Sequence, residues 1–199
     1  MENVQGVELI DFFNNAGERL SDEYCRYIFN KVAKALHKLH RAGLAHRDIK
    51  PENIILTHDY KVKLIDLGYG IPLSGRDGSQ FMRTYCGSRI YMAPEIIGQQ
   101  YGDNKPYQGS DIDIFSFGVM LLSMRCLHYP FEKAYANDQN YFNLMSGDAS
   151  EFWNKYGPLK LTDEFKNLIT HLLQEKTPSR IVMADLLGHP WMKGEVVSD

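Results

Sequence analysis
The chain has 199 residues, with 22 Lys plus Arg against 25 Asp plus Glu and a formal charge of −3, a near balance that argues against sequence-independent nucleic-acid binding. Hydrophobic residues at 44% and aromatics at 12% suffice for a core, and a chain this long buries roughly 70% of its unfolded surface. The three dispersed cysteines, Cys25, Cys86 and Cys126, exclude a disulfide framework or a Cys-based zinc site and point to a reducing compartment.

The N-terminus has neither the basic start nor the apolar run of a signal peptide, which together with the cysteines predicts an intracellular, cytoplasmic protein. Leu9 to Phe13 is a short apolar helical segment closed by Gly17. After Ser21, residues Cys25, Ile28, Phe29, Val32, Ala35, Leu36 and Leu39 recur at helical steps, with Asp22 and Glu23 in the first turn and Gly43 just past the end. These are the start, face and stop of an amphipathic helix. His37 and His40 lie about one turn apart on it, with no further ligand nearby in sequence, and read as surface residues rather than a metal site.

From Leu44 the texture changes. Ile54-Ile55-Leu56 and Lys61 to Ile65 are short strand-like runs around a polar turn at Thr57-His58-Asp59, as in a hairpin. Residues 69–90 contain Gly70, Gly75, Gly78 and Gly87 without a sustained period, and a loop of that length is usually functional or mobile. Ile112 to Leu127 is apolar on nearly every face, the pattern of a central buried helix. Its apolar core, Ile114 to Met124, is about half the ~20 residues a bilayer span needs, so no membrane span is expected. Phe165, Leu168, Ile169, Leu172 and Leu173 mark another amphipathic helix with Thr162 as its cap. A last short helix, Met183 to Leu187, leads to His189-Pro190-Trp191. No repeat or linker divides the chain.

The segment His46-Arg47-Asp48-Ile49-Lys50-Pro51-Glu52-Asn53 concentrates the chemistry. Alone, Asp and Asn in a loop are ordinary turn residues. Here Asp66-Leu67-Gly68, Ala93-Pro94-Glu95, the run Asp113-Ile114-Phe115-Ser116-Phe117-Gly118, and Arg180 nine residues before His189 follow in order. The set resembles the catalytic half of eukaryotic protein kinases over essentially the whole chain, and within that family its loop and C-terminal motifs are most similar to the calcium/calmodulin-dependent kinase group. Small-molecule phosphotransferases share an Asp and Asn at similar spacing but lack the Ala-Pro-Glu segment and this central helix. The resemblance implies an α+β, mainly α-helical fold: a kinase-like C-lobe over residues 1–193 with a few short strands at the cleft, and a short tail at 194–199.

By that resemblance, Asp48 orients the attacking hydroxyl and accepts its proton, and Lys50 offsets charge on the transferring phosphoryl group. Asn53 and Asp66 offer the oxygen ligands that suit Mg2+, so the implied cofactors are ATP and Mg2+. A Lys at position 50, with Ser88 positioned to contact both Asp48 and Lys50, accompanies serine/threonine specificity. Thr84 occupies the activation-loop phosphorylation position, where a phosphate would bring roughly −1.5 to −2 charge to Arg47. Glu95 and Arg180 would form a buried ion pair, and Asp113 would accept backbone N–H bonds from the catalytic loop.

Met1 to Leu9 resembles the kinase hinge. In that register Glu2 and Val4 offer backbone contacts to adenine, Glu8 reaches the ribose and Ile55 forms the floor beneath the ring. Leu67 stands for the usual Phe, Arg89-Ile90 for Pro-Glu, and Lys176-Thr177-Pro178-Ser179 for the usual Asp-Pro stretch. The family's glycine-rich phosphate loop, strand lysine and partner glutamate do not occur in these residues. The expectation is a serine/threonine kinase that begins at the hinge, with the N-lobe absent and no activity by itself. Its partners would be a protein substrate and a missing N-lobe or another chain that completes the cleft. The alternative is a non-catalytic docking module.

Overall fold
The computed structural model describes residues 4–15, 20–74, 81–103, 105–146 and 148–195. Strand β1 (Val7–Glu8) runs directly into helix α1 (Leu9–Asn15); the expected stop at Gly17 lies outside the described residues. Helix α2 (Asp22–Arg41) begins where the sequence predicts, because the Ser21 side chain accepts a hydrogen bond from Tyr24 N and occupies one of the amides that a helix start leaves unpaired. Its inner face carries Cys25, Ile28, Phe29, Val32 and Leu36, joined by Ala33 and Arg26, while Ala35 and Leu39 are only partly buried.

Strand β2 (Leu44–Ala45) follows the turn after α2, and β3 (Ile54–Leu56) and β4 (Val62–Leu64) form the expected antiparallel hairpin, with Ile54 opposite Leu64. Strand β1 pairs on the other edge of β3, in the order β1-β3-β4. The aperiodic loop contributes β5 (Ile71–Pro72), which pairs antiparallel with β2, and Met82 bridges to Tyr107. Helix α3 (Pro94–Gln100) starts at the proline of the Ala-Pro-Glu segment, where a missing N–H costs nothing.

Helix α4 (Gly109–Cys126) is the axis of the core, with Ile112 to Met124 buried throughout. It packs on α2 through the edge-on pair Phe29 and Phe117, 5.6 Å apart. Two short helices that the sequence pattern does not announce, α5 (Gln139–Met145) and α6 (Ser150–Asn154), follow it. Helix α7 (Asp163–Leu172) is capped by Thr162, which accepts from Phe165 N. It approaches α4 so closely that a Cβ on Gly118 would sit 2.7 Å from Leu172 Cβ, a contact only glycine avoids. Helices α8 (Met183–Gly188) and α9 (Pro190–Lys193) close the fold. The described residues are helix-rich with two small sheets. Among the described residues no helix is long and apolar enough to cross a membrane. The three cysteines are buried and carry no disulfide.

The structure corrects one expectation. His40 is not a surface residue: its side chain is 9% exposed, and Nε2 lies 2.8 Å from Asp113 Oδ2. The helical period was read correctly, but the acidic partner comes from α4, 73 positions away in the chain, where no local pattern could announce it. Among the described residues no group of His, Cys, Asp and Glu could hold a metal by itself.

Candidate active site
The loop between β2 and β3 is built around a fully buried charge. Asp113 in α4 accepts from His46 N at 2.8 Å and Arg47 N at 2.7 Å, bonds that compensate the cost of burying a carboxylate. Arg47 takes a left-handed backbone, φ 65°, and the two amides held by Asp113 offset that strain. Asp48 N donates to His46 Nδ1 at 3.3 Å, which leaves the His46 proton on Nε2, 3.0 Å from the Ile65 carbonyl.

Asp48 is buried, and both of its carboxylate oxygens are used. Oδ1 accepts from Ser88 N at 2.8 Å, and Oδ2 lies 2.9 Å from Lys50 Nζ and 3.1 Å from Asn53 Nδ2. Lys50 Nζ also donates to Ser88 Oγ at 2.9 Å. Burial by itself favours the protonated acid, but the bonds from Lys50 and Ser88 outweigh it and hold the Asp48 carboxyl below the usual carboxylate range. Burial likewise opposes the Lys50 charge, and Asp48 more than offsets it, so the ammonium is held above its ordinary value. The result is a charged pair at neutral pH that can orient a hydroxyl and stabilise developing negative charge.

Asn53 Nδ2 donates to Asp48 O at 2.9 Å as well, which leaves the amide oxygen as the atom Asn53 can offer a cation. Ile65 N donates to Asn53 O at 2.9 Å, so the residue that follows, Asp66, is fixed relative to Asn53. Asp66 is exposed, with φ 59°, and its Oδ1 accepts from Gly68 N at 3.1 Å. An amide oxygen and a carboxylate on neighbouring segments are a hard donor set that fits Mg2+.

Toward the other side of the sheet, Glu8 stands opposite Ile55, which is 8% exposed. Val4 lines a recess of about 370 Å³ with Gln5, Thr57, His58, Lys61 and Lys63. Glu2 lies outside the described residues. Besides the Ser88 bonds, the long loop meets the β2–β3 loop at two further points. Gly87, at φ +102°, runs so close that a Cβ would come within 2.7 Å of Arg47 O, and Arg47 Nε donates to Tyr69 O at 2.7 Å. The Thr84 side chain belongs to an exposed residue. Farther away, Arg180 grips Glu95 with two bonds of 2.7 and 3.0 Å and also reaches the carbonyls of Gln174 and Asp111.

Sequence reasoning missed three features here. His40 braces Asp113. Tyr107 reaches Arg47, its hydroxyl 3.3 Å from Nη1. Glu52 has a buried Oε2 without a hydrogen-bond partner among the described residues. The first two carry no local signal, since their partners come from distant segments; Glu52 lies inside the motif and was passed over.

Comparison with known proteins bears on what this arrangement does. Residues 1–192 match the family described as protein kinase domain. The chain is 35% identical over 198 residues to the maternal embryonic leucine zipper kinase of Xenopus laevis, covering 96% of this chain and 27% of that protein. It is 33% identical over 196 residues to the carbon catabolite-derepressing protein kinase of Secale cereale, covering 98% and 36%. It is 32% identical over 193 residues to the "Probable serine/threonine-protein kinase fhkC" of Dictyostelium discoideum, covering 96% and 31%. The chain thus spans about a quarter to a third of the length of these curated relatives.

Proposed function
The chain belongs to the eukaryotic protein kinase family, of the serine/threonine type, and on that premise we propose that it forms the C-terminal lobe of a kinase that phosphorylates protein serine or threonine hydroxyls. The observation that carries the proposal is the single network of Asp48, Lys50, Asn53 and Ser88, in which Lys50 bonds both the would-be base and the Ser88 hydroxyl while the Ser88 amide bonds the base. ATP and Mg2+ would supply the phosphoryl group and neutralise its charge.

Asp48 orients the substrate hydroxyl and takes its proton. Lys50, held between Asp48 and Ser88, keeps a positive charge beside the reacting centre. Asn53 and Asp66 would hold Mg2+, Val4, Glu8 and Ile55 would line the lower wall of the nucleotide site, and the family resemblance adds Glu2 as a backbone contact to adenine. Thr84 is the regulatory phosphorylation position. Glu95, Asp113 and Arg180 act structurally, since their bonds join segments and none contacts Asp48 directly. Three buried cysteines without a disulfide support a reducing, intracellular setting.

The test is transfer of labelled phosphate from Mg-ATP to a serine-containing peptide by the full-length protein, with Asp48→Asn as control. Transfer that Asp48→Asn abolishes supports the proposal. No transfer by the wild type moves the assignment to a kinase-like docking module, which the exposed Leu67 and Tyr69 beside Asp66 would then serve. The 199 residues alone contain no glycine-rich loop or strand lysine, so calorimetry on that piece should show negligible Mg-ATP binding.

A further inference from the structure
Between the β2–β3 loop and α4, one buried phenol joins segments that the motifs treat separately. Tyr107 is 2% exposed, and its backbone pairs with Met82 in both directions, at 2.8 and 3.0 Å. Its hydroxyl donates to the Thr84 carbonyl at 2.6 Å and accepts from Arg47 Nη1 at 3.3 Å. A phenol has one proton and two lone pairs, so both bonds form at once without conflict. Burial pushes the hydroxyl up to about 12, which keeps it protonated and donating at neutral pH.

Arg47 is the residue next to Asp48, and its amide is fixed by Asp113 while its Nε is fixed by Tyr69 O. Two positions beyond Thr84, the chain enters Cys86 and Gly87, packed on Arg47 O, and then Ser88, whose amide bonds Asp48. The Thr84–Ser88 segment is therefore held at one end by the Tyr107 hydroxyl and at the other by Asp48. These bonds use the Thr84 carbonyl and the Ser88 amide, and none uses the Thr84 side chain.

We propose that Tyr107 is a positioning residue whose hydroxyl locks the Thr84–Ser88 segment onto the catalytic loop, so that the segment is ordered around Asp48 with Thr84 unphosphorylated. The consequence for catalysis rests on the reading of Asp48 given above; the lock itself does not. A phosphate on Thr84 would then add charge to a segment already in place rather than create its order.

The experiment is hydrogen exchange on the full-length protein after phosphatase treatment, with the state of Thr84 checked by mass spectrometry. Wild type, Thr84→Ala and Tyr107→Phe are compared with a variant carrying 4-aminophenylalanine at position 107, whose amine restores a donor. The Met82 and Ser88 amides should be protected in the wild type and in Thr84→Ala. They should exchange about tenfold or more faster in Tyr107→Phe, as expected for loss of a buried hydrogen bond, with α4 unchanged, and recover in the amino variant. Unchanged exchange in Tyr107→Phe, or protection in the wild type only when Thr84 is phosphorylated, overturns the proposal. Should Tyr107→Phe also loosen α4, the amino variant decides: recovery supports the lock and no recovery defeats it. Peptide phosphorylation by the same samples separates the two readings. Slower transfer by Tyr107→Phe at unchanged KM for ATP extends the lock to catalysis, whereas no transfer by a wild type with protected amides, both with Thr84 phosphorylated and after phosphatase treatment, defeats the kinase assignment and leaves the lock standing.

Discussion

The two acidic residues of the candidate site are held in opposite ways. Asp48 is buried, both oxygens are bonded, and its partners Lys50, Asn53 and Ser88 come from this chain. Asp66 is exposed on a left-handed backbone, and its side chain meets Gly68 N. The proposed base is thus placed by protein bonds, while the proposed metal-side carboxylate has its backbone fixed and its side chain exposed. Preorganisation of this kind matters most where charge moves during reaction. A metal carboxylate needs only to be within reach and to remain ionised.

Substitutions at the two positions should sharpen that contrast. In the full-length protein, Asp48→Asn should lower peptide phosphorylation by about 10²- to 10⁴-fold, the range for a lost acid–base group. It should also lower stability, because Lys50 keeps a partly buried ammonium without its counter-charge. Asp66→Asn should abolish the response of transfer to Mg2+ in a Mg2+ titration, yet change unfolding free energy by no more than about 0.5 kcal/mol, as for an exposed side chain. Equal destabilisation by both would break the comparison. Acid titration separates them further. The Asp48 carboxyl is held below its ordinary range, so its contribution is complete above the unfolded value of about 3.9 and is lost as pH falls through the lower folded value. Asp48→Asn should remove that part of the acid limb of the stability curve.

The Glu95–Arg180 pair is a second enclosed charge, away from the chemistry. The Arg180 side chain is 1% exposed and Glu95 is 12% exposed. Arg180→Met should destabilise by about 3–5 kcal/mol in urea unfolding, since it strands a buried carboxylate. Adding Glu95→Gln should restore much of the loss. Full additivity of the two changes would show that the pair is not coupled.

Legibility in the sequence followed the range of the interaction. Helices α2 and α7 were readable because each buries one periodic face and starts at a side-chain cap, Ser21 or Thr162. Helix α4 starts three residues before the expected Ile112 because Gly109, Ser110 and Asp111 add no apolar signal. Strands β2 and β5, at two residues each, are too short to show any period. Helix α5 depends on Asp138, which accepts from Asn140 and Tyr141, a polar cap ahead of a helix only seven residues long. At the site, the motif residues stood out as a linear pattern, whereas His40 on Asp113 and Tyr107 on Arg47 are contacts across 73 and 60 positions. Geometry alone reveals those.

The smallest expected effect lies far from the cleft, at a histidine that the sequence presents only as part of a C-terminal motif. His189 caps α9: its Nδ1 accepts from Trp191 N at 3.2 Å, while Nε2 faces Asn167 Oδ1 at 3.0 Å. Both bonds suit the neutral ring with its proton on Nε2, and a proton on Nδ1 would oppose the Trp191 amide. Burial, aided by the neighbouring His171, holds His189 below the ordinary histidine value. Among the described residues, Asp185 is the acidic group that lines the same recess. With the folded value depressed, the unfolded chain binds the proton first as pH falls below about 6.5, so stability declines from there until the folded value is passed. The slope cannot exceed the ~1.4 kcal/mol per pH unit that one proton allows. His189→Asn keeps a capping oxygen without a titrating group, and it should flatten the stability profile between pH 7 and 5 in urea melts. An unchanged slope in that variant would show that His189 does not carry the acid sensitivity.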